Sequence, residues 1–546
     1  MVVTSQHYAT DVGAAILRQG GNAIDAAVAV GYALAVTHPC CGNLGGGGFM
    51  TIHLAGGKDT FLNFREQAPL AARADMFLDT HGKVVSERSL NGYLAAGVPG
   101  TVMGLEMARQ KYGTLPRATL IAPAIKLAEE GFVLTRGDVD VLAEGTQGFR
   151  DQPNVAAIFL KNGQPFSPGE RLIQKDLAAT LRAISGGGAD AFYHGAISAA
   201  VSAASKAHGG LLTPQDFAAY TATESAPVTC PYRGYTIVSA PPPSSGGVTL
   251  CEMLQVLQGY PLKDLGFHSS GAVHVMTEAM RHAYRDRNTY LGDPAFVDNP
   301  TARLISLPYA ESIRAQIQPN RATPSSALSG PAAAEEHATT THYSVVDPLG
   351  NAVSVTYTIN DSFGAKVIAG NTGFFLNDEM DDFTAKPGVP NVFGLVQGKA
   401  NAVAPGKRPL SSMTPTLVFK DGKPVFIVGT PGGSRIITTV LEVIVNVIDH
   451  GMTLQEAIDA PRIHHQWLPD TIGAEPFALS ADTVKSLTGM GYKIVPLEPW
   501  GSGNAVEAIG IAPPDANAAK ALNFPRPGIF YGANDSRAPA GSAAAP

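Results

Sequence analysis

An aperiodic stretch rich in alanine and acid, 331-PAAAEEHAT-339, gives way abruptly to two alternating runs, YSVVD and AVSVTYT, joined across Pro348-Leu349-Gly350-Asn351. Period-two alternation around a Pro/Gly/Asn turn predicts a β-hairpin. This boundary constrains the chain more than any other feature. A fold built around it must put the Thr340 hydroxyl where a loop enters a strand. In an intact chain such a hydroxyl is ordinary. If the backbone is cut just before Thr340, a free α-amino group with a pKa near neutrality stands beside the hydroxyl and can act as its base. One residue then supplies both nucleophile and base.

At 546 residues the chain exceeds one ordinary core, so two cores or one large layered domain are expected. Hydrophobic residues make up 45% and charged residues 16%, which excludes wholesale disorder. A net charge of −7, with no Lys/Arg run of five, excludes a nucleic-acid surface and favours a small soluble substrate. The cysteines are Cys40, Cys41, Cys230 and Cys251; none forms a Cys-x-x-Cys pair and no His clusters near them at zinc spacing, so no metal site is expected. The adjacent Cys40 and Cys41 could oxidise, but buried free thiols are the expectation. The opening pattern DVGAAILRQGGNAIDAAVAVGYALAVTHP reads as an amphipathic helix, too short in its apolar part and too broken by Asp25 for a membrane span. No charged leader with a cleavage site precedes it.

Helical runs dominate residues 100 to 220, and VTLCEMLQVLQGY follows the Pro241–Gly247 cluster. Residues 315 to 338 read as an exposed linker, the natural place for a cut. Beyond Thr340 strands alternate with the helices ITTVLEVIVNVID and LQEAIDA, and the last ten residues read as a disordered tail. Strands packed face to face with helices outside give a mixed α/β (α+β) chain, a four-layer αββα sandwich.

Several short motifs carry chemistry, each beside a plainer reading. Gly45 to Gly48 could cradle an anion, but no Lys-Ser/Thr follows, and a loop permitting close backbone packing is the better reading. His464-His465 suit packing or capping. Asp381-Asp382 could be paired acid/base carboxylates or a solvated turn. Pro431-Gly432-Gly433-Ser434-Arg435 could present consecutive N–H groups as an oxyanion hole, or simply turn from strand to helix. Arg65-Glu66 taken alone reads as a local ion pair.

Read together, TTHYSVVD, GNAVSVTYTIN, NDEMDDF, KRPLSSM and GTPGGSRIITT, with NLGGGGFM and NFREQAP before and PRIHHQWLP and YGANDSR after, resemble the γ-glutamyltransferases (γ-glutamyltranspeptidases) of the N-terminal nucleophile hydrolase superfamily. The resemblance runs nearly end to end. It implies self-cleavage between Thr339 and Thr340 into a large chain 1–339 and a small chain 340–546, which form a heterodimer as one intertwined unit. Thr340 then attacks the γ-carbonyl of glutathione or another γ-glutamyl compound. The acyl-enzyme passes its γ-glutamyl group to water or to an acceptor amino acid or dipeptide. By the same resemblance Thr358 orients the nucleophile's amine, and Gly432 and Gly433 form the oxyanion hole. Asn360, Glu379 and Asp382 hold the substrate's α-ammonium, while Arg65, Ser411 and Ser412 grip its α-carboxylate. No cofactor is needed, and export to the periplasm or beyond is implied. The residue types suit those roles, since an amino-acid head needs acidic or amide acceptors on one side and a guanidinium with hydroxyls on the other.

Three departures stand out. Glu379 replaces the Gln of many bacterial relatives, which makes the pocket more anionic. Phe393, in the lid segment 387–403, stands where Tyr is frequent, so a hydroxyl is missing there. The segment 513–530 is longer than the usual connection. Met1 reads as lying inside the first domain, so a leader and some mature residues are expected upstream. The rival readings are a glutaryl-β-lactam acylase on the same fold, which Asp382 argues against, and an unprocessed amino-acid- or peptide-binding protein.

Overall fold

The computed structural model describes residues 1–328, 340–497 and 504–546. Thr339 and the stretch 331–339 lie outside the described residues. In chain order the strands of the two main sheets are β1 (Val2–Thr4), β2 (Gly47–Leu54), β3 (Lys58–Phe64), β4 (Thr223–Ser225), β5 (Val228–Tyr232) and β6 (Tyr235–Ser239). They continue as β7 (Thr341–Val346), β8 (Ala352–Thr358), β9 (Thr416–Lys420), β10 (Lys423–Val428), β11 (Glu507–Ile511), β12 (Phe530–Asn534) and β13 (Ser542–Ala544). The first sheet has seven strands in the order β13-β1-β7-β8-β2-β3-β4, and the second has six in the order β12-β11-β10-β9-β6-β5.

The β7–β8 hairpin is central to the first sheet. Its turn closes through Asp347, whose Oδ1 accepts the N–H groups of Leu349 at 2.9 Å and Asn351 at 3.0 Å, with Gly350 at φ 97°. Every residue of β7 and β8 is buried, and alternate side chains feed different cores. Tyr343 and Val345 join the core under the helices α1 (His7–Arg18), α2 (Ala23–Thr37) and α3 (Thr101–Tyr112), whereas Val346 and Ala352 meet Leu417, Ile427 and Ile509 of the second sheet. Helices α4 (Gly246–Leu257), α5 (Ser270–Tyr290) and α6 (Arg435–Ile448) cover the far face of the second sheet. The layers are therefore helix, sheet, sheet, helix, as the strand and helix runs imply.

Several expectations need correction. The opening pattern is a strand and two helices, broken at Gly20-Gly21, where Asn22 caps α2 through a capping box with Asp25. All of α2 is buried, because sheet and neighbouring helices enclose it, so it is not amphipathic. The C-terminal tail is ordered as β13, whose backbone pairs with β1 in the register Val2↔Ala544. Such pairing uses backbone groups and leaves no side-chain pattern to read. The cysteines are not free: Cys40 is bonded to Cys41, and Cys230 on β5 to Cys251 on α4, where packing brings the Cα atoms to 5.9 Å. The expected linker is pinned as far as Leu328, since buried Ser325 donates its N–H to Asp470 at 2.8 Å and its O–H to the Trp467 carbonyl at 2.6 Å. The long segment 513–530 connects β11 to β12 and carries a short helix, Ala516–Ala521, capped by Asp515.

Candidate active site

The β7–β8 register, ending at Tyr357↔Thr341, sets Thr358 opposite Thr340 at the open end of the hairpin. Their hydroxyl oxygens are 3.3 Å apart. Thr340 lies on the face of β7 that His342 and Ser344 share, which looks toward the second sheet. Thr358 Oγ1 also accepts the Asn360 N–H at 2.9 Å. Asn360 has φ 79°, a left-handed conformation that Asn tolerates better than most residues, and it turns the chain out of the strand. Its amide donates to the Asp378 carbonyl at 3.1 Å and carboxylate at 3.3 Å. The joined cysteines brace this turn: the Cys41 carbonyl accepts from Ile359 at 3.1 Å and the Cys40 carbonyl from Phe363 at 2.8 Å. Gly45 to Gly48 lie against the same strand. A Cβ on Gly46 would strike the Thr358 carbonyl oxygen, and one on Gly48 that of Thr356. The glycine run thus serves close backbone packing, not an anion.

Arg65 follows β3 and is wholly buried. Its Nε donates to the Pro409 carbonyl at 3.2 Å, Nη1 pairs with Glu379 and, at 3.5 Å, with Glu66, and Nη2 pairs with Asp382. The resemblance implies separate grips for carboxylate and ammonium; the structure joins them in one cluster. A buried guanidinium beside three carboxyls pairs with them, because an unpaired buried charge is costly. Burial weighs against the Arg65 charge, but Glu379, Asp382 and Glu66 outweigh it and raise its pKa. One cation cannot neutralise three acids in a dry site. Burial pushes Glu66 up to about 7 and Glu379 well above the usual carboxylate range. The cluster is short of positive charge and suits an added ammonium.

Asp381 and Asp382 are buried and so are not a solvated turn. Asp381 accepts from Ser89 Oγ at 2.6 Å and Val392 N–H at 2.8 Å, and burial pushes it up to about 6. Ser411 and Ser412 face the cluster, and Ser411 Oγ accepts the Met413 N–H at 3.1 Å. Gly432 and Gly433 have φ 132° and 54° at the turn into α6. Phe393 is buried, and its carbonyl accepts from Gln466 Nε2 at 3.1 Å. Arg65, Thr340, Thr358, Asn360, Glu379, Asp382, Phe393, Ser411, Ser412 and Gly433 line a single small pocket; Gly432 adjoins it. His464 lies apart, wedged between Thr438 at 2.8 Å and Gln466 at 2.9 Å, in the packing role expected.

Sequence reasoning missed several residues that hold this pocket. Asn377 accepts from Gly97 at 2.8 Å and Glu379 N–H at 3.0 Å, and donates to the carbonyls of Gly45 at 2.7 Å and Gly97 at 2.9 Å. It lies inside the motif NDEMDDF, beside four acidic residues, and as a neutral amide carries no charge signal of its own. Ser244 and Ser245 fasten the Ser411–Met413 segment by donating to the Met413 and Ser411 carbonyls, each at 2.6 Å. His38 also stands near the cysteines, Nε2 3.5 Å from Cys40 Sγ, although His-x-Cys is not a zinc spacing. Among the described residues, His38, Cys40 and Cys41 are the one cluster of possible metal ligands, and its two sulfurs are bonded to each other.

Comparison with known proteins bears directly on this pocket. The family model described as gamma-glutamyltranspeptidase matches residues 9–545. The chain is 58% identical to the glutathione hydrolase proenzyme of Pseudomonas sp. (strain A14), over 98% of this chain and 92% of that one. It is 49% identical to the protein of the same name from Escherichia coli (strain K12), over 98% of this chain and 90% of that one. Among solved structures, it is similar to a cephalosporin acylase from Bacillus halodurans, with TM-score 0.85 and 27% identity, over 100% of this chain and 95% of that one.

Proposed function

The chain belongs to the gamma-glutamyltranspeptidase family, and from that membership we propose that it is a self-processing γ-glutamyltransferase and glutathione hydrolase. The observation that carries the reading is one pocket in which a paired threonine hydroxyl faces a cluster of carboxyl groups and two serines. In this reading cleavage before Thr340 yields chains 1–339 and 340–546, held together by the shared sheet: β7 keeps its pairing with β1 on one side and β8 on the other. The freed amine takes the Thr340 hydroxyl proton as the oxygen attacks the γ-carbonyl. Thr358 orients the nucleophile, and the Gly432 and Gly433 amides meet the developing oxyanion. Protonated leaving amine departs, and water or an acceptor amine resolves the ester.

Asn360, Glu379 and Asp382 take the α-ammonium; Arg65, Ser411 and Ser412 take the α-carboxylate. Phe393, in the segment read as the lid, is buried and forms one wall of the pocket. Two disulfides favour an oxidising compartment, the periplasm or the exterior. Among the described residues no helix is long and apolar enough to cross a membrane. Likeness to a cephalosporin acylase keeps a glutaryl-amide hydrolase as the second reading. Release of the anilide from a γ-glutamyl-anilide, with and without an acceptor dipeptide, tests the proposal. Turnover of glutaryl-anilide alone would replace it with the acylase reading.

A further inference from the structure

The helix α5 sends Arg287 into the pocket wall, where its side chain is fully buried. Its Nη2 donates to Ser412 Oγ at 3.0 Å and its Nε to Ser245 Oγ at 3.0 Å. Nη1 donates to Asn288 Oδ1 at 2.9 Å and Gln397 Oε1 at 3.2 Å. None of these acceptors is a carboxylate, in contrast with Arg65, which is surrounded by them. Such a charge without an acid in contact is costly to bury. The motif RHAYRDR on a helix reads as a solvated charged face, so sequence alone gives no hint of it.

The hydrogen-bond directions say what this cation does. Ser412 Oγ accepts from Arg287, so its own hydrogen is the donor left for another group. Ser411 Oγ accepts from the Met413 N–H, with the same consequence. Ser245 relays the Arg287 contact onward, donating to the Ser411 carbonyl at 2.6 Å. A hydroxyl that accepts from a cation becomes a stronger donor. Both serines thus present donors to the pocket, with a positive charge behind one of them.

We propose that Arg287 is the positioning and specificity residue of the α-carboxylate subsite, acting through Ser412 and adding a second positive charge to that of Arg65, which is shared with Glu66, Glu379 and Asp382. The proposal rests on the γ-glutamyl reading of the pocket. It assigns Arg287 no contact with the reacting carbonyl; Arg287 is absent from the pocket lining and touches it through the serine. Burial lowers the Arg287 pKa to about 10, which still leaves the group charged at neutral pH.

The test measures KM and kcat for γ-glutamyl-anilide in wild type, Arg287→Lys, Arg287→Gln, Ser412→Ala and Arg287→Lys/Ser412→Ala. It also measures inhibition constants for L-glutamate and for 4-aminobutyrate, which is glutamate without its α-carboxylate. Wild-type turnover tests the γ-glutamyl reading itself, so failure there is distinct from failure of the Arg287 assignment. Arg287→Gln is expected to raise KM and the glutamate inhibition constant about tenfold or more, the usual effect of losing a charge-assisted hydrogen bond, with kcat changed far less. The 4-aminobutyrate constant should stay within about twofold, because that ligand has nothing for the subsite to hold. The Lys/Ala double variant should be no worse than the poorer single variant, since both act on one contact. Equal weakening of both inhibitors, or additive losses in the double variant, would overturn the proposal. If Arg287→Gln fails to fold, the Lys variant and its double carry the same comparison.

Discussion

Thr340 Oγ1 stands 3.3 Å from Thr358 Oγ1 because the hairpin register sets the two residues opposite each other, and Asn360 N–H fixes the second oxygen at 2.9 Å. A nucleophile needs a pre-positioned partner more than a strong one. Thr358→Ala should lower kcat roughly 10- to 100-fold, the loss of a hydrogen bond to the nucleophile, with KM nearly unchanged. It should also slow conversion of the single chain to two. Normal kcat in Thr358→Ala would remove that residue from the mechanism.

Thr340→Ala should remain a single chain and be inactive. In the wild type, N-terminal sequencing of the small chain should begin at Thr340. A start at Thr341 would move the nucleophile to a side chain that points to the other face of the strand.

The hairpin and most helical runs were legible because side-chain periodicity reports them directly, and the four layers follow from how such strands and helices pack. What escaped is what backbone or tertiary geometry decides. Edge strand β13 pairs through its backbone in an Ala-rich tail, and the disulfides depend on where β5 and α4 meet in space. Motif resemblance brought together Thr340, Thr358, Asn360, Glu379, Asp382, Ser411 and Ser412, which do line one pocket. It carried no information on how Arg65 would divide itself among three acids, since that depends on burial and on distances across chain segments more than 300 residues apart.

Arg65→Lys should be costly twice. An ammonium cannot reproduce three directed contacts, so the stability should fall by about 1–3 kcal/mol, less than the 3–5 of removing a buried partner outright. KM for γ-glutamyl-anilide should rise as the acids rearrange. Unfolding by denaturant and kinetics across a range of substrate concentrations separate the two effects; an unchanged KM would make Arg65 purely structural.

Glu66 gives the pH signature. Burial, as the largest cause, pushes its folded pKa up to about 7, against an ordinary value of 4.5. The proton is held by the folded state and released by the unfolded one between those values. Its contribution to stability is therefore complete below pH 4.5 and is lost as pH rises toward 7. The facing charges are Arg65, Glu379 and Asp382, all in the same cluster. Glu66→Gln should flatten the fall across that window by roughly 1–3 kcal/mol. Identical pH–stability curves for wild type and variant would assign the proton elsewhere.

In the proposed function Asp382 is expected to decide between γ-glutamyl and glutaryl donors. Its carboxylate pairs with Arg65 and accepts from Asn391 at 3.3 Å, so it holds the pocket wall; in the proposed function it also takes the substrate's ammonium. A glutaryl group keeps the α-carboxylate but has a bare methylene where the ammonium would sit. Facing that methylene, an ionised carboxylate stays desolvated without a partner. Asp382→Asn should cost γ-glutamyl donors about 2–5 kcal/mol in kcat/KM, the usual penalty of truncating one member of a buried charge pair. The loss of contact with Arg65 falls on both donors alike and cancels in their ratio. Glutaryl-anilide should therefore lose less, or gain, and the ratio of the two kcat/KM values should shift toward glutaryl. An equal loss on both donors would mean that Asp382 serves Arg65 and the lid alone, leaving Glu379 and Asn360 to recognise the ammonium.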